Sequence, residues 1–196
     1  PSEVSVVADR FANASWIASD LIAQAEHDAY SQSILISNNL DLIKKVNINL
    51  KKQLKQLPKA KIASSSLKNY GISIFAKNKN KIINIINEIA PEHLELHVKN
   101  YKNFLKGIKN AGSIFLGKYS PEAMGDYLAG PNHVLPTSGS AKFSSGLSVN
   151  DFLKRHSLIK ITKRGIERLG SSVINLAKHE NLEGHANSVR IRLNKD

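Results

Sequence analysis

Short apolar runs of strand length alternate with segments of helical period along most of the chain, and this alternation restricts the possible folds more than any other feature. The predicted strands are VSVVA (4–8), SQSILIS (31–37), GISIFA (71–76) and AGSIFLG (111–117). The predicted helices cover residues 14–27, about 39–57 and 80–90, the last of which Pro91 ends or kinks. The pattern is typical of an α/β fold, a layered Rossmann-like domain with a mostly parallel sheet.

The amino-acid composition changes after residue 127, which indicates that a second part of the chain follows. Residues 128–152 form a loop rich in Gly, Ser and Pro, which is long enough to suggest a functional role. After the loop, HSLIKIT (156–162) predicts a strand, residues 163–179 a helix, and 184–193 a short terminal element. We therefore expect two domains: residues 1–147 as part of a Rossmann-like domain, and residues 148–196 as a small α+β tail.

The formal net charge of +12 raises the possibility of nucleic-acid binding. The lysines are scattered over separate predicted helices, however, and no RNA- or DNA-binding motif accompanies them. Solvated helix faces explain the charge more simply, and a basic nucleic-acid-binding module is the less favoured alternative.

The composition also indicates the environment of the chain. The sequence contains no cysteine, no secretory leader and no apolar run of about 20 residues that could span a bilayer. We expect a cytoplasmic protein without a membrane partner. Because the chain opens on Pro1 inside an apparent strand, we also expect it to be a piece of something longer.

Two pairs of residues could carry chemistry in the first half of the chain. Gln24 and His27 are three residues apart on a predicted helix, so both side chains leave one face and could hold a cation. A solvent-facing or capping Gln is the simpler alternative. Glu92 and His93 follow Pro91 and offer an acid and a base where a helix is interrupted. A surface Glu beside a half-buried His is equally compatible with the spacing.

Two further segments have the same ambiguity. Asp126 beside Gly125 could turn toward a metal or a substrate amine, or could cap a turn, and His133 lies in the long loop that follows. Glu180 and His185 lie near the chain end, where polar side chains are ordinarily solvated. Each segment alone therefore leaves a structural alternative open.

Together these segments resemble one family, histidinol dehydrogenase. The resemblance is carried by PSEV (1–4), SDLIAQAEHD (19–28), APEHLEL (90–96), NAGSIFLG (110–117), GDYLAGPNHVLPT (125–137), AKFSSGLSVNDF (141–152) and EGHANSVRIRL (183–193). It implies the NAD-linked oxidation of L-histidinol through histidinaldehyde to L-histidine, the last step of histidine biosynthesis. A non-catalytic, metal-binding or dimerising part of that enzyme is the alternative.

The resemblance also implies a metal site. Its ligands would be Gln24, His27, Asp126 and His185, a set of nitrogen and oxygen donors that suits zinc, with manganese as a second candidate. In the family the substrate completes the metal shell, so these four residues would also contact histidinol. The metal would then mainly orient the substrate.

The remaining roles follow from the same resemblance. His93 would accept the proton of the substrate hydroxyl and contact the substrate, and Glu92 would activate water for the second oxidation. Ser2 and Glu180 resemble substrate-contacting positions. Because His133 lies in the long loop that carries the resemblance, we expect it to line the site, whereas we expect surface or core histidines at His97, His156 and His179.

Two expectations concern the rest of the enzyme. No G-x-G-x-x-G follows a strand, so the resemblance places the NAD site in an N-terminal part outside these residues. Family members form homodimers that exchange their C-terminal segment. Here residues 148–196 would be exchanged, and Glu180 and His185 would complete the site of a second copy.

Overall fold

The computed structural model describes residues 2–58 and 60–193 and contains one five-stranded parallel sheet. The strands are β1 (Glu3–Ala8), β2 (Gln32–Ser37), β3 (Gly71–Phe75), β4 (His93–His97) and β5 (Ser113–Leu116). Their order in the sheet is β3-β2-β1-β4-β5, and every neighbouring pair is parallel. The predicted α/β fold with a parallel sheet is confirmed.

The helices are α1 (Ala14–Ala25), α2 (Leu40–Leu54), α3 (Ala60–Tyr70), α4 (Lys79–Ile89), α5 (Lys102–Leu105), α6 (Glu122–Tyr127), α7 (Lys163–His179) and α8 (Glu183–Leu193). Helices α1 to α5 lie between the strands, and α6 to α8 follow the last strand. Two short 3-10 turns, Ser140–Lys142 and Val149–Phe152, lie in the long loop. None of the helices among the described residues is long and apolar enough to cross a membrane.

The sequence did not predict α3. Its run of three serines weakens the apolar period, and Ala63 and Ser66 are its only buried residues. The Ser66 hydroxyl donates to the Ser31 carbonyl at 2.8 Å, which fixes the helix beside β2 through a polar contact. A pattern search for apolar residues misses such a helix because its contact with the sheet is small and partly polar.

The interior strands β1, β2 and β4 lie between two apolar clusters, one on each face of the sheet, whereas the edge strands β3 and β5 are partly or largely exposed. Val4 and Val6 of β1 pack with Ile17 and Leu21 of α1 and with residues of α2. On the other face Val7 packs with the β2, β4 and α4 residues Ile34, Ile36, Leu94, Leu96, Ile82 and Ile86. This burial on both faces explains why the sequences of β1 and β2 are largely apolar runs.

β4 differs from its neighbours because only one of its faces is apolar. All five of its residues are buried, and it pairs with β1 on one side and with β5 on the other. Leu94 and Leu96 point into an apolar cluster, whereas His93, Glu95 and His97 point to the opposite face. This interior strand therefore carries a line of polar groups through the fold.

The chain divides into two compact units after Phe152. In the second unit, α7 and α8 pack together at Gly170, where an added Cβ would lie 2.7 Å from Leu193. Residues 153–193 contain no strand, so the strand predicted at 156–162 and the α+β description of the tail are wrong. A strand needs a pairing partner, and the structure provides none for this segment within the described residues.

Candidate metal and catalytic site

Polar side chains from four elements meet at the edge of the sheet where β1 and β4 begin. Glu3 comes from β1, Glu92 and His93 from the start of β4, and Gln24 from the last turn of α1. The others are His27, which follows α1, and Glu122 and Asp126, which lie on α6. All except the half-buried Asp126 and the exposed His27 are buried.

Glu3 and Glu92 form two reciprocal hydrogen bonds, in which the backbone N–H of each donates to the carboxyl group of the other. The Glu3 N–H donates to Glu92 Oε2 at 3.0 Å, and the Glu92 N–H donates to Glu3 Oε1 at 3.3 Å. The Ser138 N–H of the long loop also donates to Glu3 Oε1, at 2.9 Å. Burial raises the pKa of Glu92 to about 7, and the charges of Glu3 and Asp126 act in the same direction.

The His93 ring has one nitrogen engaged and one free. Its Nδ1 lies 3.2 Å from the Glu3 carbonyl oxygen, which can only accept, so Nδ1 carries the proton when this bond forms. The buried Nε2 has no hydrogen-bond partner in residues 2–58 and 60–193 and lies 3.8 Å from Asp126 Oδ1. Burial lowers the pKa of His93, which favours the neutral ring with a free lone pair on Nε2.

Glu122 occupies the centre of the cluster, and the sequence analysis missed it. Its Oε1 lies 3.4 Å from His93 Nδ1. When the Gln24 amide is oriented with its nitrogen toward Glu122, that nitrogen donates to Oε1 at 2.9 Å and to Oε2 at 3.2 Å. Burial, followed by the charges of Asp126 and Glu95, raises the pKa of Glu122 to about 9. One signal was available, because Glu122 lies one helical turn before Asp126 and shares its face.

The donor set at this edge is suited to a divalent cation. One ligand atom each of His27, Glu122 and Asp126 lies within 4.8 Å of the others. Imidazole and carboxylate donors are those that zinc and manganese accept in proteins. Three of the four ligands implied by the resemblance, Gln24, His27 and Asp126, are brought together in this unit.

A second polar cluster lies further along β4. His97 Nε2 is 3.0 Å from Glu95 Oε2 and 3.6 Å from Asp20 Oδ2, and the other Glu95 oxygen accepts the Glu122 N–H at 2.7 Å. Burial raises the pKa of Asp20 to about 7, with a further contribution from the Glu95 charge. His97 is thus a core histidine with two carboxylate neighbours.

The other predicted site residues lie outside these two clusters. Ser2 is half-buried just before β1, and its carbonyl accepts the Gln32 N–H at 3.0 Å. His133 is exposed in the long loop. Glu180 follows α7 and His185 lies in the first turn of α8, and both are exposed in the second unit.

Comparison with known proteins gives one consistent result. A family model described as histidinol dehydrogenase matches residues 1–193. Histidinol dehydrogenase of Pelagibacter ubique is 59% identical over 195 residues, which cover 100% of this chain and 46% of that protein. Histidinol dehydrogenase 1 of Nostoc sp. is 50% identical over 193 residues, 98% of this chain and 45% of that protein.

A solved structure agrees with these relatives. The crystal structure of histidinol dehydrogenase from Elizabethkingia anophelis is 41% identical and matches with a TM-score of 0.95. The match covers 98% of this chain and 44% of that one. The chain spans about half the length of the curated relatives it matches.

Proposed function

Because this chain belongs to the histidinol dehydrogenase family, we propose that it provides the metal and substrate site for the NAD-linked oxidation of L-histidinol to L-histidine. The observation that carries the proposal is the free Nε2 of His93, which is buried beside Glu92 and directed toward Asp126. The domains proposed are residues 1–147, as part of the Rossmann-like catalytic domain, and residues 148–196, as the tail. We also propose a cytoplasmic location.

Gln24, His27, Asp126 and His185 would hold the metal, zinc in the first place and manganese as the alternative. A bound ion would supply Lewis acidity that orients the nitrogen donors of histidinol. Glu122 would support this arrangement, because a Gln24 amide whose nitrogen faces the Glu122 carboxyl group leaves its oxygen available. Ser2 and Glu180 would contact the substrate.

His93 is suited to the first proton transfer. Its Nδ1 is oriented by the Glu3 carbonyl, so the lone pair on Nε2 would take the proton of the substrate hydroxyl. NAD, whose site is expected outside these residues, would supply the acceptor for the hydride. The burial that lowers the pKa of His93 keeps the ring neutral and ready to accept that proton. The product of this step is the aldehyde.

Glu92 is suited to the second half of the reaction. A carboxyl group with a pKa of about 7 can accept a proton from water near neutral pH, and the resulting hydroxide adds to the aldehyde carbon. His93, once it has released the first proton to solvent, would take a proton of the hydrate, and a second NAD would supply the acceptor for the second hydride. The carboxyl group of histidine forms and then ionises. The Glu3 N–H holds the Glu92 carboxylate in place for this role.

A homodimer is the proposed assembly, with residues 148–196 exchanged between copies. Leu158 and Ile159 of the unpaired segment are 90% and 82% exposed. Leu169, Val173 and Leu176 on α7 are also exposed, so the second unit presents apolar surface over both elements. Contiguous apolar surface of this kind is typical of protein–protein contacts, and a second copy would bury it.

The experiment uses the purified chain with zinc, histidinol and NAD. We expect zinc and histidinol to bind in calorimetry, and His93→Ala to retain zinc but abolish any NADH formation. His156→Ala, at an exposed position of the tail, serves as the matched control and should behave as the wild type. Binding without NADH formation by the wild type would favour the alternative, a metal-binding part without catalytic activity. A chain that binds neither zinc nor histidinol would refute the proposal.

A further inference from the structure

We propose that Glu95 is a positioning residue for the metal site, because its carboxylate caps α6 and thereby sets the place of Glu122 and Asp126. The proposal rests on the function proposed above, in which Asp126 binds the metal. Glu95 contacts the site through the backbone of Glu122, whose N–H it accepts. It lies in the middle of β4 and acts through the helix that carries the ligand.

The first step of the argument is that α6 has no cap of its own. It is six residues long and begins after Pro121, whose side chain makes no capping hydrogen bond. The first N–H of the helix, that of Glu122, instead donates to Glu95 Oε1 at 2.7 Å, across 27 residues of sequence. A carboxylate that accepts such an N–H forms a charge-assisted hydrogen bond, and its negative charge interacts favourably with the positive N-terminal end of the helix dipole.

The second step is that Glu95 is held rigidly. Glu95 is 0% exposed, and it pairs with Val6 of β1 on one side and with Phe115 of β5 on the other. Its second oxygen, Oε2, lies 3.0 Å from His97 Nε2, and that nitrogen lies 3.6 Å from Asp20 Oδ2. Both oxygens of Glu95 are therefore engaged, and the carboxylate has one orientation.

The third step is that α6 is short enough for its first residue to determine the rest. Asp126 lies four residues after Glu122, a rise of about 6 Å along the helix. The helix also rests closely on β5, because a Cβ added at Gly125 would lie 2.6 Å from the Phe115 ring. A shift at the capped end is therefore transmitted to Asp126 with little room for compensation.

The test compares three variants of the purified chain. Glu95→Met removes the acceptor but keeps a side chain of similar length, and Glu95→Gln keeps an oxygen that can accept the Glu122 N–H. Ser37→Ala is the control, because it also removes a buried hydrogen bond from the sheet, the one from Ser37 Oγ to the Ala8 carbonyl at 2.7 Å. Zinc affinity is measured by competition with a chromophoric chelator, and amide exchange is measured over residues 122–127.

We expect Glu95→Met to bind zinc about 10-fold more weakly than the wild type, within the range found for groups that support metal ligands. Glu95→Gln should recover most of that loss, and Ser37→Ala should leave the affinity within about twofold. The exchange of residues 122–127 should accelerate in Glu95→Met and not in Ser37→Ala. Equal zinc affinity in all variants would overturn the proposal.

The two proposals fail in different ways. If the wild-type chain binds no zinc, the proposed ligand set is wrong, and amide exchange alone decides the role of Glu95. Faster exchange over residues 122–127 in Glu95→Met would then support the positioning of α6. Unchanged exchange would overturn it, whether or not zinc binds. If Glu95→Met does not fold, the same two measurements are made on Glu95→Gln. Weaker zinc binding together with faster exchange of α6 in Glu95→Gln would contradict the expectation that its amide oxygen replaces the carboxylate as acceptor.

Discussion

Asp20 makes the stability of the metal-free chain depend on pH in a direction opposite to that of most surface carboxylates. Its pKa is raised from an ordinary value of 3.8 to about 7, first by burial and then by the charge of Glu95. His97, on the facing strand, opposes the shift, and Glu122 is a further acid in the same interior. At a pH between its two pKa values, a group with a raised pKa in the folded state is protonated in that state, whereas it is ionised in the unfolded chain. Its stabilising contribution is complete below pH 3.8 and is lost as the pH rises through 7.

The magnitude follows from the two pKa values. Each pH unit between them lowers the free energy of unfolding by up to about 1.4 kcal/mol. Between pH 5 and pH 7 the loss amounts to about 2 kcal/mol, and above pH 8 the dependence flattens because Asp20 is then ionised in both states. Asp20→Asn keeps the size and the polarity of the side chain but cannot titrate. The difference between wild type and variant should therefore change by about 2 kcal/mol over this range.

The assay is urea unfolding of both chains in EDTA at pH 5, 6, 7 and 8, followed by circular dichroism. EDTA removes any bound metal, so the comparison reports on the protein alone. We expect the wild type to lose stability relative to Asp20→Asn from pH 5 to pH 7. Parallel curves for the two proteins would show that Asp20 ionises normally, and the argument from burial would be refuted.

The remaining predictions concern the metal site, two glycines and the second unit. His27→Ala should lose bound zinc in metal analysis while His156→Ala keeps it, and equal zinc in both would remove His27 from the ligand set. Gly125→Ala should lower the free energy of unfolding by about 1–3 kcal/mol and weaken zinc binding, because the new methyl group meets an aromatic ring of β5. Gly184→Ala, with nothing within 4 Å, should instead raise it by up to about 1 kcal/mol in urea unfolding. Leu158→Lys should shift light scattering toward a monomer, and an unchanged dimer would place the contact elsewhere.

Four of the five strands of the sheet could be predicted from the sequence because each of them is signalled locally. All four predicted strands of the first unit occur, and β4 escaped the prediction because its polar residues interrupt the apolar pattern. The segment 156–162 has the same local pattern as a strand, yet it is unpaired in the structure. Strand formation depends on a partner that local sequence does not reveal.

The candidate site shows the same limit. Glu92, His93, Gln24 and Asp126 could be named from short motifs, and the structure brings them together. Glu3 and Glu95 could not, because their roles come from contacts across the fold, and Glu122 was missed although its spacing from Asp126 was a local signal. The bond from Glu3 to Glu92 joins residues 89 apart in sequence, and that from Glu95 to Glu122 joins residues 27 apart.

The alternation along β4 also protects the chain against misfolding. A slip of one residue in its pairing would turn Leu94 and Leu96 toward the carboxylates of α6 and press His93, Glu95 and His97 into the apolar cluster around α4. Each polar group left there without a partner costs about 1–3 kcal/mol, which is a large part of the stability of an ordinary domain. The polar side chains of β4, His93 among them, therefore also favour the correct register of this strand during folding. Their replacement would endanger the assembly of the sheet as well as the reaction.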